Sequence, residues 1–118
     1  DFDKFCVLAD ENSDEEGFLK ILAPDVTAID RGHGLYECVP TGYDKATAME
    51  VILKRYGIAR EDSYAFGDSM NDLAMIRYAG NSIIMEKHAK GLEPYADFIT
   101  KDVENDGIAW AFEQLHII

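Results

Sequence analysis

From Thr41 onward the chain alternates helical and strand-like hydrophobic patterns. The stretch DKATAMEVILKRYG puts Met49, Ile52, Leu53 and Tyr56 on one helical face and stops at Gly57. SYAFG (63–67) reads as a short buried strand, and NDLAMIRYAG (71–80) as a helix closed by Gly80. SIIM (82–85) predicts a second strand, KHAKGLEPYA a short helical turn, and DFIT (97–100) a third strand. The closing helix is ENDGIAWAFEQLHI, with Trp110 on its apolar face. Strands and helices in this alternation predict an α/β fold, a parallel sheet with flanking helices.

The first 38 residues follow a different pattern. KFCVLA (4–9) reads as a strand, and DENSDEEGFLKIL as an acidic turn entering a helix. Ser13 and Glu16 have capping-box spacing, and Phe18, Leu19, Ile21 and Leu22 supply an apolar face. VTAIDRGHGLYECV (26–39) predicts two extended segments around an Arg31-Gly32-His33-Gly34 turn. Two or three strands and one helix are too little to form a core alone. The chain also opens without Met, as if cut from something longer, and is expected to be a fragment.

Composition narrows the partners. With 118 residues, 47% hydrophobic content and a mean hydropathy of −0.19, the chain has the profile of a soluble globular domain. No apolar run reaches the roughly 18 residues that span a bilayer, and no charged-then-apolar leader is present, so a cytoplasmic location is expected. A net charge of −12 argues against nucleic acid or an anionic membrane as partner. It leaves room for a phosphorylated small molecule, because one bound divalent cation reverses the local field. Cys6 and Cys38 are too few for a disulfide framework and are read as reduced core residues.

The chemistry concentrates in AFGDSMNDLAM (65–75), where Asp68 directly follows an apolar strand and Asp72 follows it by four positions. In a βαβ unit a helix N-terminus lies at the same sheet edge as the C-terminal end of the next strand. Lys45, in the first turn of its helix, and Asp68 therefore meet at the edge where open α/β folds bind ligands. A cation there opposes the helix dipole by ~0.3–1 kcal/mol, which calls for an anion in front of it. Asp68 after an apolar strand needs a cation or donors, and Mg²⁺ suits one or two carboxylates plus waters and phosphate oxygens. The spacing alone leaves two readings open: a metal site, or a solvated turn in which Ser69 caps a helix and Asp72 favours its dipole.

These residues resemble a known family. GDSMNDLAM resembles the G-D-x-x-N-D motif of the haloacid-dehalogenase-like (HAD) phosphohydrolases, and TGYDKATAM the lysine motif that precedes it by about two dozen residues. ADFIT followed by NDGIAWAFEQL is similar to the end of the Cof-type branch. The resemblance implies that residues 39–118 are the C-terminal part of a HAD-like Rossmannoid core and residues 1–38 a partial α/β cap domain. It implies that Asp68 is the direct Mg²⁺ ligand and that Asn71 and Asp72 hold metal-bound water or the phosphate. Lys45 would neutralise the transferring phosphoryl group. The implied activity is hydrolysis of small phosphorylated metabolites through an aspartyl-phosphate. Arg31 and His33, on the cap turn, could reach a substrate, although an ordinary polar turn accounts for them as well.

Two departures stand out. The family's nucleophile is the first Asp of D-x-D-x-[TV] at the end of an opening strand. DFDKF (1–5) imitates it, but no strand precedes it, position 5 is Phe, and the lysine motif begins only 40 residues later. Asp1 is therefore rejected as nucleophile, and this chain alone is expected to be inactive. Glu86-Lys87-His88 stands where the family has a small loop, which puts any substrate contact there in doubt. Of the decoys, DENSDEEG lacks the turn glycine and the closing Glu of a calcium loop, and His88 and His116 have no partner at metal spacing. A receiver domain would place its acidic pair before the lysine, the reverse of the order here. A non-catalytic fragment would expose a half-sheet and favour self-association.

Overall fold

In the computed structural model, which describes residues 2–117, the strands divide into two three-stranded sheets. The first is antiparallel, with β1 (Phe5–Leu8) and β2 (Val26–Asp30) on either side of β3 (Leu35–Pro40). The second is parallel, in the order β4 (Tyr64–Gly67), β5 (Asn81–Ile84), β6 (Phe98–Ile99). Helices α1 (Glu15–Leu22), α2 (Lys45–Tyr56), α3 (Leu73–Tyr78) and α4 (Gly107–Gln114) complete the α/β architecture. β3 runs on to Pro40, two residues beyond the divide expected at 38/39.

Register decides what each face of the first sheet sees. The β1–β3–β2 pairing puts Val7, Ala28, Tyr36 and Cys38 on one face, and Thr27, Ile29, Glu37 and Val39 on the other. α1 packs on the first face, where the Phe18 and Tyr36 rings stand 6.3 Å apart. Cys6 falls on the second face of the edge strand β1 and is exposed, so only Cys38 belongs to a core.

Several boundaries differ from expectation for identifiable reasons. α1 is capped by Asp14, whose Oδ1 accepts the Gly17 amide at 2.9 Å, and not by Ser13. The Ser13 hydroxyl is occupied with Asp10, and Glu16 pairs with Lys20 at 2.6 Å. Phe18 and Leu22, one turn apart, are half-buried, whereas Ile21 points to solvent. On α2, Met49 and Leu53 turn inward, while Ile52 and Tyr56 are exposed. α2 packs chiefly against α3, with Met49 reaching the core cluster, so the opposite stripe stays uncovered. The Gly57 stop matches expectation, closing α2 at φ 64°, and at the other end Asp44 caps the helix by accepting the Thr47 amide at 2.8 Å.

The segment after β4 begins as a 3₁₀ turn (Met70–Asp72) before α3, and α3 ends at Tyr78. Gly80 is not its stop signal. A Cβ there would stand 2.3 Å from the Arg60 carbonyl oxygen, so the residue serves close backbone approach. The closing helix is likewise broken into a 3₁₀ turn (Val103–Asn105) and α4, with Asp106 left-handed at φ 53° between them.

Ile76, Ile84, Leu92, Ala65 and Ala79 form the core beneath the parallel sheet. Trp110 stacks on Phe98 with ring centroids 5.7 Å apart. Ile84 is fully buried in the central strand. Ile84→Ala is expected to lower the unfolding free energy by about 2–5 kcal/mol in urea titration, and a loss well below that range would contradict this placement of the core.

Candidate active site

Three elements converge at the C-terminal end of β4. Lys45 is the first residue of α2, Asp68 follows the strand, and Asp72 ends the 3₁₀ turn. Asp72 is buried at 5% exposure, and its Oδ1 accepts a hydrogen bond from the Lys45 ammonium. Its Oδ2 accepts the amides of Asp68 at 3.0 Å and Ser69 at 3.1 Å. Burial pushes the Asp72 carboxyl up, but the Lys45 ammonium and the two amides prevail and hold it below the usual carboxylate range. A Cβ on Gly67 would lie 2.6 Å from the Asp72 Cβ, so only glycine lets the carboxylate tuck under the strand end. The anion called for in front of Lys45 is thus present within the chain itself.

Asp68 is exposed, and its Oδ1 accepts the Ser69 hydroxyl at 3.0 Å. Its main-chain oxygen accepts the Ala89 amide at 2.7 Å, which joins the 86–89 loop to the site. Two side chains of that loop are engaged elsewhere. Lys87 bridges Asp102 at 3.0 Å and Glu104 at 2.9 Å, and His88 is held between Glu93 and the Met85 carbonyl.

Asn71 is half-buried and donates from Nδ2 to Glu37 Oε2 at 3.1 Å. Glu37, on β3, is only 7% exposed and also accepts Arg31 Nη1 at 2.7 Å and Lys4 Nζ at 3.4 Å. Burial pushes its carboxyl up, but Arg31, Lys4 and Asn71 together hold it below its ordinary value. Sequence reasoning missed this residue. The signal was available: a carboxylate inside the strand LYECV must be paired if buried, and Arg31 stands just across the turn. Arg31 is brought to the site through Glu37, whereas His33 sits exposed at the turn with φ 54°. Between the antiparallel sheet and α2 lies a cleft of about 430 Å³ lined by Lys4, Glu37, Tyr43, Lys45 and Asn71, a volume suited to a small molecule.

Asp1 lies outside the described residues. Among the described residues no group of three or more His, Cys, Asp and Glu side chains is arranged to hold a metal ion on its own. The calcium-loop decoy at 10–17 is a turn closed by Ser13 and Asp10 that leads into the Asp14 cap.

The sequence matches the haloacid dehalogenase-like hydrolase family over residues 1–112. The chain belongs to that family. Among HAD relatives, it is 37% identical over 84 residues to 5-amino-6-(5-phospho-D-ribitylamino)uracil phosphatase YwtE of Bacillus subtilis (strain 168), covering 71% of this chain and 29% of that protein. A haloacid dehalogenase-like hydrolase from Bacteroides thetaiotaomicron superposes with a TM-score of 0.79 at 31% identity, over 96% of this chain and 44% of that one. The fold is also that of the HAD subclass IIB sugar phosphatase BT4131, with a TM-score of 0.84 at 24% identity over 98% of this chain and 44% of that one. The HAD chain described here thus spans less than half of each of these proteins. Membership also disposes of the receiver reading, whose order of lysine and acidic pair is reversed. Among the described residues no helix is long and apolar enough to cross a membrane.

The His88 pair supplies a pH test. Burial of the ring lowers its proton affinity, but the Met85 carbonyl and the Glu93 carboxylate outweigh it and raise the His88 pKa. Stability from this pair is fully present below the ordinary histidine pKa of ~6.5 and is lost as pH rises through the raised folded value. NMR titration of His88 is expected to show the raised midpoint, and Glu93→Gln to lower it. A midpoint indifferent to Glu93→Gln would remove the pair as its cause.

Proposed function

We propose that the chain supplies the cation-holding half of the active site, and part of the cap, of a Mg²⁺-dependent phosphatase acting on small phosphorylated metabolites. The observation that carries this reading is the Lys45–Asp72 pair beside the exposed Asp68, at the strand end where α/β folds bind ligands. Residues 1–38 are read as the cap portion and residues 39–118 as the core.

The donor set fits Mg²⁺. The ion takes oxygen ligands and keeps several waters; Asp68 offers an exposed carboxylate, and Asn71, three residues on, offers an amide oxygen. Asp72, with Oδ2 already given to two amides, is suited to gripping bound water and to fixing Lys45. When bound, the ion would neutralise phosphate charge and orient the phosphoryl group. Lys45, held in place by Asp72, would add a second positive charge for the phosphate through its ammonium. Asn71 lines the cleft, which supports reading it as a contact for the phosphate or the metal-bound water.

Phosphoryl transfer draws mainly on positioning and charge neutralisation, which these residues offer. The nucleophilic carboxylate of an aspartyl-phosphate route belongs to the whole protein, in our reading, and not to Asp68 or Asp72. The cytoplasm and a phosphorylated metabolite, of the kind named for the YwtE relative, suit this reading. The chain alone would self-associate through the outer edge of β4, which carries the exposed Tyr64, and light scattering would detect it.

In the whole protein, Asp68→Ala is expected to abolish Mg²⁺-dependent hydrolysis of an aryl phosphate. Unchanged turnover would sink the assignment. The 118-residue chain alone is expected to give no sustained turnover in the same assay, and steady hydrolysis would show that it carries its own nucleophile.

A further inference from the structure

Glu37 has no role in the reading above, yet it is a buried carboxylate in contact with a proposed metal-site residue. It lies on the sheet face turned toward the cleft, and its three donors come from three segments: Lys4 ahead of β1, Arg31 in the β2–β3 turn, and Asn71 after β4. Two of those donors are cations from its own sheet, which fix the carboxylate on β3. The third is the only one from the parallel-sheet half of the chain, and it is a neutral amide.

That asymmetry has a chemical consequence. An ionised carboxylate accepts and never donates, so the end of the Asn71 amide that meets Glu37 must be the NH₂ end. The amide is planar, and fixing Nδ2 on Glu37 turns Oδ1 the other way. Oδ1 is the atom a hard cation or its bound water would use. Partners of this kind, which hold a ligating side chain in one orientation, set metal affinity without touching the metal.

We propose, resting on the metal-site reading above, that Glu37 is a positioning residue: from the antiparallel sheet it orients the Asn71 amide for the cation and couples that sheet to the metal site. Replacing it with an apolar residue frees the amide to rotate. Replacing it with glutamine keeps an acceptor oxygen and is expected to keep most of the orientation.

The test is Mn²⁺ binding to the whole protein, read by electron paramagnetic resonance, which needs no turnover. Glu37→Leu is expected to weaken Mn²⁺ binding by about 10–100-fold, the range for loss of such a partner. Glu37→Gln is expected to stay close to wild type. Asn71→Ala weakens binding too, and Glu37→Leu added to Asn71→Ala is expected to weaken it no further. Additive losses from the two substitutions would mean that Glu37 does not act through Asn71, and would overturn the proposal. Wild-type affinity in Glu37→Leu, with Asp68→Ala abolishing binding, would overturn it while leaving the metal-site reading intact. Full binding in Asp68→Ala would instead remove that reading and the proposal with it.

The wild-type protein gives a second readout should Glu37→Leu not fold. The Asn71 side-chain amide, followed by NMR, is expected to show one proton protected from solvent exchange. Exchange as fast as that of an exposed side-chain amide would overturn the proposal.

Discussion

The contact between Lys45 and Asp72 is what the rest of the site depends on. It joins the N-terminus of α2 to the turn after β4, two points 27 residues apart in sequence. Each partner is poorly placed alone. The lysine opposes the dipole of its own helix, and the carboxylate is buried beneath a strand end. Together they are compatible, and two main-chain amides complete the carboxylate's hydrogen bonding. The arrangement removes Asp72 from solvent while leaving Asp68 exposed, so two aspartates of one short motif face different surroundings.

The second organising constraint is register in the antiparallel sheet. Because side chains alternate, the pairing of β3 with its neighbours sends Tyr36 and Cys38 toward α1 and sends Glu37 toward the cleft. A slip of one residue would bury Tyr36 against the cleft and turn the carboxylate under α1. The β3 strand then leads, through Thr41 to Tyr43, directly to the Asp44 cap of α2, so the same strand that carries Glu37 delivers Lys45. One continuous stretch, from Arg31 to Lys45, therefore lays out one side of the cleft.

What was legible in the sequence was what local chemistry decides. The Gly57 end of α2 follows from its local chemistry, and βαβ geometry brings Lys45 to the strand end at Asp68, where its partner turns out to be Asp72. The family motifs from Thr41 onward pointed to the fold class and the family, and the family match itself spans residues 1–112. What stayed hidden depends on neighbours distant in sequence. Ile52, Tyr56 and Ile21 have the apolar character of core residues, and their exposure reflects which elements lie against them. Ser13 lost the cap to Asp14 because its hydroxyl had a nearer partner in Asp10. Glu37 required knowing the strand register before its burial, and hence its need for partners, became visible.

The link between Asp68 and the 86–89 loop is made by main-chain atoms only, Ala89 N–H to the Asp68 carbonyl. Such a tether is blind to side-chain identity. It leaves Lys87 and His88 free to turn outward, the first to Asp102 and Glu104 and the second to Glu93 and the Met85 carbonyl, while the amide keeps its bond to the strand end. Side-chain substitutions at Lys87 and His88 would leave that tether in place, whereas a proline at position 89, which has no N–H to give, would remove it.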